Sequence, residues 1–425
     1  MTARKTKKIF TPYQIFIIAI LAFLQFTVVL DFMVISPLGV MLMDELSISP
    51  SKFGVVVSAY AFSAGISGLL AAGFADKFDR KKFLLFFYVG FMIGTILCAL
   101  APNYHFLLIA RIVSGTFGGV IASVSFSIIT DLFPLNVRGR VMGFVQMAFA
   151  ASQVLGLPVG LEMANRFDWH APFWLIAIIG VLVGVIISIF MKPITAHLNQ
   201  DHSINPFKHL YSIVSRSWYL QAFLAATLLA TGGFMLMPFG SAFSVHNLGV
   251  DIKNQLPALY GITGVFTIIF GPILGKLSDS VGKYTMFVVG TILTSIIVAI
   301  YTNLGMTAFW LVVVINVIMF IGVSSRMIAS SALITAVPDL KDRGAFMSVY
   351  SSVRQIAGGL AAALAGVIVV QQNDGPLQQY DILGYVVIAT MLLSMFMMYF
   401  INRGIQRNAS VENSSLHGPA SEEAS

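Results

Sequence analysis

The feature that most constrains this chain is a succession of long apolar runs. The run from Tyr13 to about Val40 contains one charged residue, Asp31, and the runs 83–100 and 171–191 contain none. Runs of about 18 or more apolar residues are typical of membrane-spanning helices. Twelve such runs are found, centred near Phe26, Phe62, Met92, Ile121, Ala151, Val181, Leu229, Phe266, Ile292, Phe320, Leu360 and Leu392. The sequence therefore predicts an all-α membrane protein with 12 transmembrane helices.

The distribution of charge predicts how these helices are oriented. With the N-terminus inside, 19 of the 25 Lys and Arg residues fall in inside loops, three in outside loops and three within the runs. Such an excess is the positive-inside pattern of membrane proteins. We therefore expect a multi-pass plasma membrane protein, typical of the bacterial inner membrane, with cytoplasmic N- and C-termini. The net charge of +7 is explained by topology, so the lipid bilayer is an expected partner and nucleic acid is not.

Two sequence echoes indicate that the chain consists of two similar halves. Asp76, in the charged segment AAGFADKFDRKK, corresponds to Asp279 at an offset of 203 residues, and Arg138 corresponds to Arg343 at an offset of 205. Two echoes at nearly the same period indicate an internal duplication. The predicted parts are a basic cytoplasmic N-terminus (1–11), an N-terminal six-helix bundle (12–193), a cytoplasmic linker (194–217), a C-terminal six-helix bundle (218–403) and a disordered cytoplasmic tail (404–425). The linker is either a short amphipathic helix on the inner surface or a solvated segment.

Six plus six spans with echoes at half-length resemble the major facilitator superfamily. That family carries the signature G-x-x-x-D-[RK]-x-[GA]-[RK]-[RK] between its second and third helices. The residues that match are Asp76, Lys77, Arg80 and Lys81, and those that depart from it are Ala72 and Asp79. The copy in the second half keeps Gly275, Asp279, Gly282 and Lys283, with Ser280 in the basic position. The resemblance implies two pseudo-symmetric bundles that rock about a site near the midplane of the membrane.

The resemblance also implies gating contacts at the inner face. Asp76 is expected to meet the helix that starts after Arg343, since a carboxylate is stabilised at a helix N-terminus. Asp279 is expected to play the same part for the helix after Arg138. Arg80 is then available to pair with Asp131. The expected gating residues are Asp76, Arg80, Lys81, Asp131, Asp279 and Lys283; the alternative is that these charges serve only to set the topology.

Charged residues within the apolar runs are candidates for function, because their burial in a membrane is costly. Asp31 lies in span one, Arg111 in span four, Arg326 in span ten and Arg354 in span eleven. Arg111 and Gly115 resemble the family's fourth-helix motif, R-x-x-x-G, whose Arg is associated with proton coupling. We expect Asp31 to carry the coupling proton with Arg111 beside it. The alternative is a permanent structural ion pair between the two.

Span five carries a motif that resembles the Gly-Pro motif of antiporters in this family. Gly156, Pro158 and Gly160 are present, although Pro158 is displaced from the strict Gly-Pro pair. The alternative is a kink that shapes helix packing, for which Pro and Gly suffice.

The candidate substrate-binding residues are Met235, Phe239, Arg326 and Arg354. Met and Phe side chains form adaptable apolar walls. If the intramembrane arginines face the cavity, its interior is electropositive and favours amphipathic anionic or neutral substrates. The alternative is that Arg326 or Arg354 pairs with backbone carbonyls and meets no substrate.

These observations predict a secondary active transporter that moves a small organic molecule by alternating access, with proton-coupled efflux (antiport). The alternatives are proton-symport uptake or lipid transport by the same fold, and a non-transporting, transporter-like receptor. We expect no enzymatic activity and no cofactor or metal, with the proton gradient as energy source. The expected partners are the substrate, protons and the bilayer, and the expected state is a monomer.

Overall fold

The computed structural model describes residues 10–72, 77–195, 198, 206–339, 342–371 and 375–416. Within them, eleven helices are long and apolar enough to cross a membrane. The remaining predicted span, the fifth, is helical throughout but is interrupted by a π-helical turn over Ser152–Gly156. The predicted all-α fold with twelve spans is confirmed.

The first half begins with a well-capped helix. Thr11 and Gln14 form a reciprocal capping box at the start of α1, and Pro12 occupies the first helical position, where its missing N–H costs nothing. The helices of this half are α1 (Pro12–Val34), α2 (Gly39–Glu45), α3 (Pro50–Ala72), α4 (Arg80–Ala99), α5 (Tyr104–Leu132), α6 (Leu135–Ala151), α7 (Leu157–Arg166) and α8 (Ala171–Phe190).

The second half repeats this pattern after the linker. Its helices are α9 (Pro206–Ser215), α10 (Ser217–Leu236), α11 (Gly240–His246), α12 (Gln255–Val281), α13 (Lys283–Tyr301), α14 (Phe309–Thr335), α15 (Arg343–Ile368) and α16 (Tyr380–Leu416). Short helix α9 decides the linker question in favour of a helix: Ile213 is buried while Tyr211 is exposed. Helix α16 continues to Leu416, into the segment 404–425 that the sequence predicts to be disordered, and no proline interrupts the backbone before Leu416.

The hydrophobic cores show how the two halves meet. We call the end of the molecule at which α1 begins the basic face, and the opposite end the distal face. One core at the distal face contains buried side chains of both halves, such as Val34 and Phe239. At the basic face the fully buried side chains form one core in each half, one around Phe91 and Ile128 and the other around Phe287, and Leu69 of α3 packs against the second. The bundles are therefore joined at the distal face and have separate cores at the basic face.

Two helix pairs form the seams between the halves. Helices α3 and α15 pack along their length, from Gly54 against Gly366 at the distal face to Gly68 beside Ser352. Helix α12 packs on α7 and the π turn, and no atom lies within 4 Å of a Cβ placed at Gly271, in its basic half. Helices α5 and α14 pack within their own halves. Two bundles joined in this way are expected to have a cavity between them that is closed at the distal face.

Candidate functional site

A fully buried ion pair lies in the first half. The Arg111 guanidinium donates from Nη1 to Asp31 Oδ2 at 2.9 Å and to the Asp31 backbone carbonyl oxygen at 3.1 Å. Both side chains are 0% exposed. Asp31 is 19 residues from the start of α1, about 28 Å along the helix, so the pair lies in the distal part of the membrane region. The structure thus brings together the two residues that the sequence proposed as partners, and the proton-carrying role of Asp31 stays a prediction.

Two further residues, which sequence reasoning missed, hold this pair. Thr95 donates from Oγ1 to Asp31 Oδ1 at 3.1 Å, and the Arg111 guanidinium lies 4.4 Å from the centroid of the Tyr60 ring. The ring supplies a favourable cation–π contact in place of water. Arg111 Nε and Nη2 have no hydrogen-bond partner within the part of the chain that the structure describes. The cation is therefore held at one nitrogen and one face only.

The antiporter-like motif packs directly behind the ion pair. A Cβ at Gly156 would lie 2.5 Å from Leu30, and one at Gly160 would lie 2.9 Å from Val34, so glycine lets this span approach α1 on either side of Asp31. Pro158 cannot donate a backbone hydrogen bond, and the helix before it widens into the π turn, in which Leu157 N–H donates to the Ser152 carbonyl. Such single π turns are frequent at functional sites.

The distal closure involves matching breaks in the first and seventh spans. Helices α1 and α2 are separated by a turn that contains Pro37, and α10 and α11 are joined by a single 3-10 helical turn, Met237–Phe239, that contains Pro238. The Ser36 hydroxyl donates to the Met237 carbonyl oxygen, and the Ser241 hydroxyl donates to the Ser36 carbonyl oxygen at 2.8 Å. Both serines are buried. We call these two reciprocal hydrogen bonds the distal latch.

Sequence reasoning missed the latch, although a signal for it exists. The segments FMVISPLG (32–39) and FMLMPFG (234–240) share Phe-Met followed by Pro-x-Gly at an offset of about half the chain. Such breaks in paired spans are typical of secondary transporters, where they lie beside the substrate site.

Directly on the basic side of the latch, aromatic rings connect the two halves. The Phe32 ring centroid lies 5.2 Å from that of Tyr60 in the first half and 5.5 Å from that of Phe234 in the second. Phe234 in turn covers Gly358 of α15, where a Cβ would lie 2.9 Å from the ring. Both phenylalanines are partly exposed. They therefore lie where the closed end of the expected cavity would be.

The two intramembrane arginines of the second half have different surroundings. Arg326 is 5% exposed, its Nε and Nη2 have no hydrogen-bond partner, and its guanidinium lies 5.7 Å from the Phe287 ring of α13. It is thus packed between α14 and α13, inside its own bundle. Arg354 is half-buried near the middle of α15, and no hydrogen bond or ion pair joins it to another residue within the part of the chain that the structure describes.

The other two proposed substrate contacts are enclosed. Met235 is 2% and Phe239 is 0% exposed, and both belong to the distal core. The Phe239 ring packs edge-on against Phe53 of α3. In this conformation they seal the cavity instead of lining it.

At the basic face, two residues of the gating motif form hydrogen bonds within the first half. Arg80 Nε donates to Asp131 Oδ2 at 2.9 Å, in the pairing that the sequence suggested, and Lys81 Nζ donates to the Ser188 carbonyl oxygen at 2.8 Å. Asp79, which departs from the family signature, accepts from the N–H groups of Lys81 and Ile194, and so caps α4 and fastens the linker. Asp76 lies outside the described residues.

The second copy of the motif is open to solvent. Asp279 and Lys283 are exposed, and Asp279 makes no hydrogen bond or ion pair among the described residues. The expected contact of Asp279 with the start of α6 stays a prediction, because side chains at the start of that helix lie outside the described ones. The sequence did not suggest a different ion pair in the second half, which joins the residue before α10 to the residue before α15. In it, Arg216 Nη1 donates to Asp342 Oδ2 at 2.6 Å. Hydrogen bonding to Tyr219 and the charge of Asp342 raise the pKa of Arg216.

Comparison of sequences identifies relatives along nearly the whole chain. The profile of the family described as Major Facilitator Superfamily matches residues 21–362 and 253–422. A protein of Bacillus subtilis (strain 168) described as an uncharacterized MFS-type transporter is 26% identical over 271 residues, covering 63% of this chain and 68% of the relative. A protein of Helicobacter pylori (strain P12) described as a probable sugar efflux transporter is 25% identical over 354 residues, which cover 82% of this chain and 85% of the relative.

Comparison of structures agrees with this assignment of the fold. The crystal structure of a bacterial homologue of the human lysosomal transporter Spinster, in an inward-facing and unoccupied conformation, superposes with a TM-score of 0.71 at 15% identity, covering 94% of this chain and 98% of that one. The crystal structure of a peptide transporter, POT, in complex with alafosfalin superposes with a TM-score of 0.72 at 13% identity. The superposition covers 91% of this chain and 95% of that one.

Proposed function

Because this chain belongs to the Major Facilitator Superfamily, and is thus a membrane transporter and not an enzyme, we propose that it exports a small organic molecule in exchange for protons. The observation that carries this proposal is the ion pair of Asp31 and Arg111, which is fully buried in the membrane region of the first half. Intramembrane ionisable pairs mark proton pathways in transporters.

Alternating access follows from the two faces of the molecule. The structure corresponds to a state with the distal latch formed and the basic-face cores apart. Transport requires the opposite state, in which the latch opens and the basic-face motifs close. Gating Asp76 and Asp279 would then reach the starts of α15 and α6, where a carboxylate is stabilised by the helix N-terminus. We assign the basic face to the cytoplasm on the basis of its Lys and Arg excess.

The coupling step consists of opening the buried pair. Among the described residues, the two hydrogen bonds that Arg111 Nη1 donates both go to Asp31. Removal of one charge from a buried pair leaves the other uncompensated, at a cost of about 3–5 kcal/mol. Proton uptake by Asp31 therefore favours a rearrangement that hydrates Arg111 or gives it an anionic partner. Substrate and proton thereby compete for the same conformational state, which produces antiport.

The direction of transport rests on two supports. The Gly156–Pro158–Gly160 motif packs against α1 beside Asp31, and relatives are described as probable sugar efflux transporters. Proton-symport uptake by the same ion pair is the alternative, because the pair couples protons to the conformational change without setting its direction.

The test is transport in proteoliposomes under an imposed pH gradient, over a panel of a monosaccharide, an aryl carboxylate and a lipophilic cation. We expect Asp31→Asn to abolish transport driven by the gradient while downhill exchange and substrate binding persist. Asp251→Asn, an exposed carboxylate in a distal loop, is the matched control. Gradient-driven transport that survives in Asp31→Asn would refute the proton-carrying role, and loss of expression or folding first would indicate a structural pair.

A further inference from the structure

We infer that the closed end of the cavity is a binding site for an amphipathic organic anion, with the rings of Phe32 and Phe234 as the apolar platform and Arg354 as the anion partner. This inference rests on the proposed function for the existence of a transported substrate, and it does not depend on proton coupling.

The platform is a pair of rings that the fold leaves partly uncovered. Phe32 and Phe234 lie 5.5 Å apart, in a tilted arrangement, and neither is fully buried, unlike Phe53 and Phe239 of the distal core. A Cβ at Gly233, next to Phe234 in α10, would meet no atom within 4 Å. Open space therefore adjoins the helix next to Phe234, where we place the apolar part of the ligand.

The position of Arg354 follows from the geometry of α15. Arg354 and Gly358 are four residues apart and so share a face of the helix, and Gly358 is covered by the Phe234 ring. Because helical side chains lean toward the helix N-terminus, the Arg354 guanidinium extends from this level toward the basic face. The platform and the cation are thus separated by about one to two helical turns, or about 5–11 Å.

The charge at this position calls for an anion. Arg354 is partly accessible, and within the described part of the chain no carboxylate or carbonyl oxygen is bonded to it. Arg111 is already neutralised by Asp31, and Arg326 is enclosed between α14 and α13. Arg354 is therefore the intramembrane cation that remains available to a ligand entering the cavity. A carboxylate or phosphate on an apolar body fits both parts of the site.

The experiment measures binding to the purified full-length protein in lipid nanodiscs, without a proton gradient. The probes are 4-phenylbutyrate and 8-phenyloctanoate, which bracket the spacing, their uncharged amides, and hexanoate, which has no ring. Wild-type protein is expected to bind an acid about tenfold or more tightly than its amide, as for hydrogen bonds to charged groups. It is expected to bind phenylalkanoates more tightly than hexanoate.

Variants assign these preferences to residues. Arg354→Gln should remove the preference for acid over amide, and Phe234→Leu should weaken both without changing that preference. Arg354→Lys, which keeps the charge, should retain part of it and serves if the glutamine variant does not fold. Arg403→Gln, an exposed arginine at the basic end of α16, is the matched control.

Three results would overturn the inference. They are no binding of either phenylalkanoate by the wild-type protein up to about 10 mM, an acid preference that survives in Arg354→Gln, and an acid preference that disappears in Arg326→Gln instead. Failure of the proposed antiport leaves these binding measurements unaffected, so the two proposals can fail separately.

Discussion

Breaking the distal latch is expected to open the molecule at its distal face. Ser36 and Ser241 each donate one hydrogen bond to a backbone carbonyl of the opposite half, and their side chains are 3% and 0% exposed. The bonds are reciprocal and lie at the same junction, so the halves cannot separate there while either one persists.

The size of the effect follows from the value of a buried hydrogen bond, about 0.5–1.5 kcal/mol net. One alanine substitution should shift the equilibrium toward the distal-open state by about 2- to 13-fold. The double variant Ser36→Ala/Ser241→Ala should shift it by about 1–3 kcal/mol, or about 5- to 150-fold.

Thiol labelling provides the assay. The one cysteine of the chain, Cys98, is fully buried, so a reporter such as Ala242→Cys, in the distal core, becomes the reactive site. Labelling by a membrane-impermeant maleimide from the distal side should accelerate by the factors above, since the reporter reacts only in the open state.

The matched control for the latch is Ser244→Ala. Ser244 is also buried in α11, but its hydroxyl bonds within its own half, to the Gly240 carbonyl oxygen and the Tyr301 hydroxyl. Ser244→Ala should lower the stability of the second bundle without shifting the equilibrium toward the distal-open state. If the double variant labels no faster than Ser244→Ala, the latch does not hold the distal face closed and the reasoning is refuted.

Two further predictions concern the first bundle. Gly94→Ala should destabilise the protein by about 1–3 kcal/mol, because a Cβ there would lie 2.5 Å from Ser114 N, whereas Gly143→Ala, with no atom within 4 Å, should be neutral or stabilising in a thermal melt. Arg80→Gln should lower the melting temperature because it removes the charged partner in the 2.9 Å ion pair with Asp131. Its effect should be smaller in an Asp131→Asn background; purely additive effects in this double-mutant cycle would show that the ion pair contributes no coupling energy.

Much of the candidate site was recognisable from the sequence, including two of its ion pairs, but most of its other contacts were not. Asp31 and Arg111 are conspicuous because charged residues are rare in apolar runs. Only the structure shows that Arg111 Nη1 lies 2.9 Å from Asp31 Oδ2. The sequence left open whether this pair carries a proton or is purely structural. Arg326 and Arg354 look alike in sequence, and the fold encloses one and leaves the other accessible. Whether a residue on a buried helix faces a neighbour or a cavity depends on the helix beside it, which no local pattern records.

The sequence by itself determined the class of the fold, its twelve spans and its division into two halves, because a membrane permits only segments whose backbone is satisfied internally and whose side chains are apolar. It also carried both rings of the platform and Ser36 of the latch in two copies of a short Phe-Met…Pro-x-Gly segment, with Ser241 directly after the second copy. Only the tertiary structure brings these two segments into contact through hydrogen bonds. Ser36 and Ser241 are 205 residues apart, and their hydrogen bonds exist only once two six-helix bundles pack at the distal face, a contact set by the shapes of both bundles together.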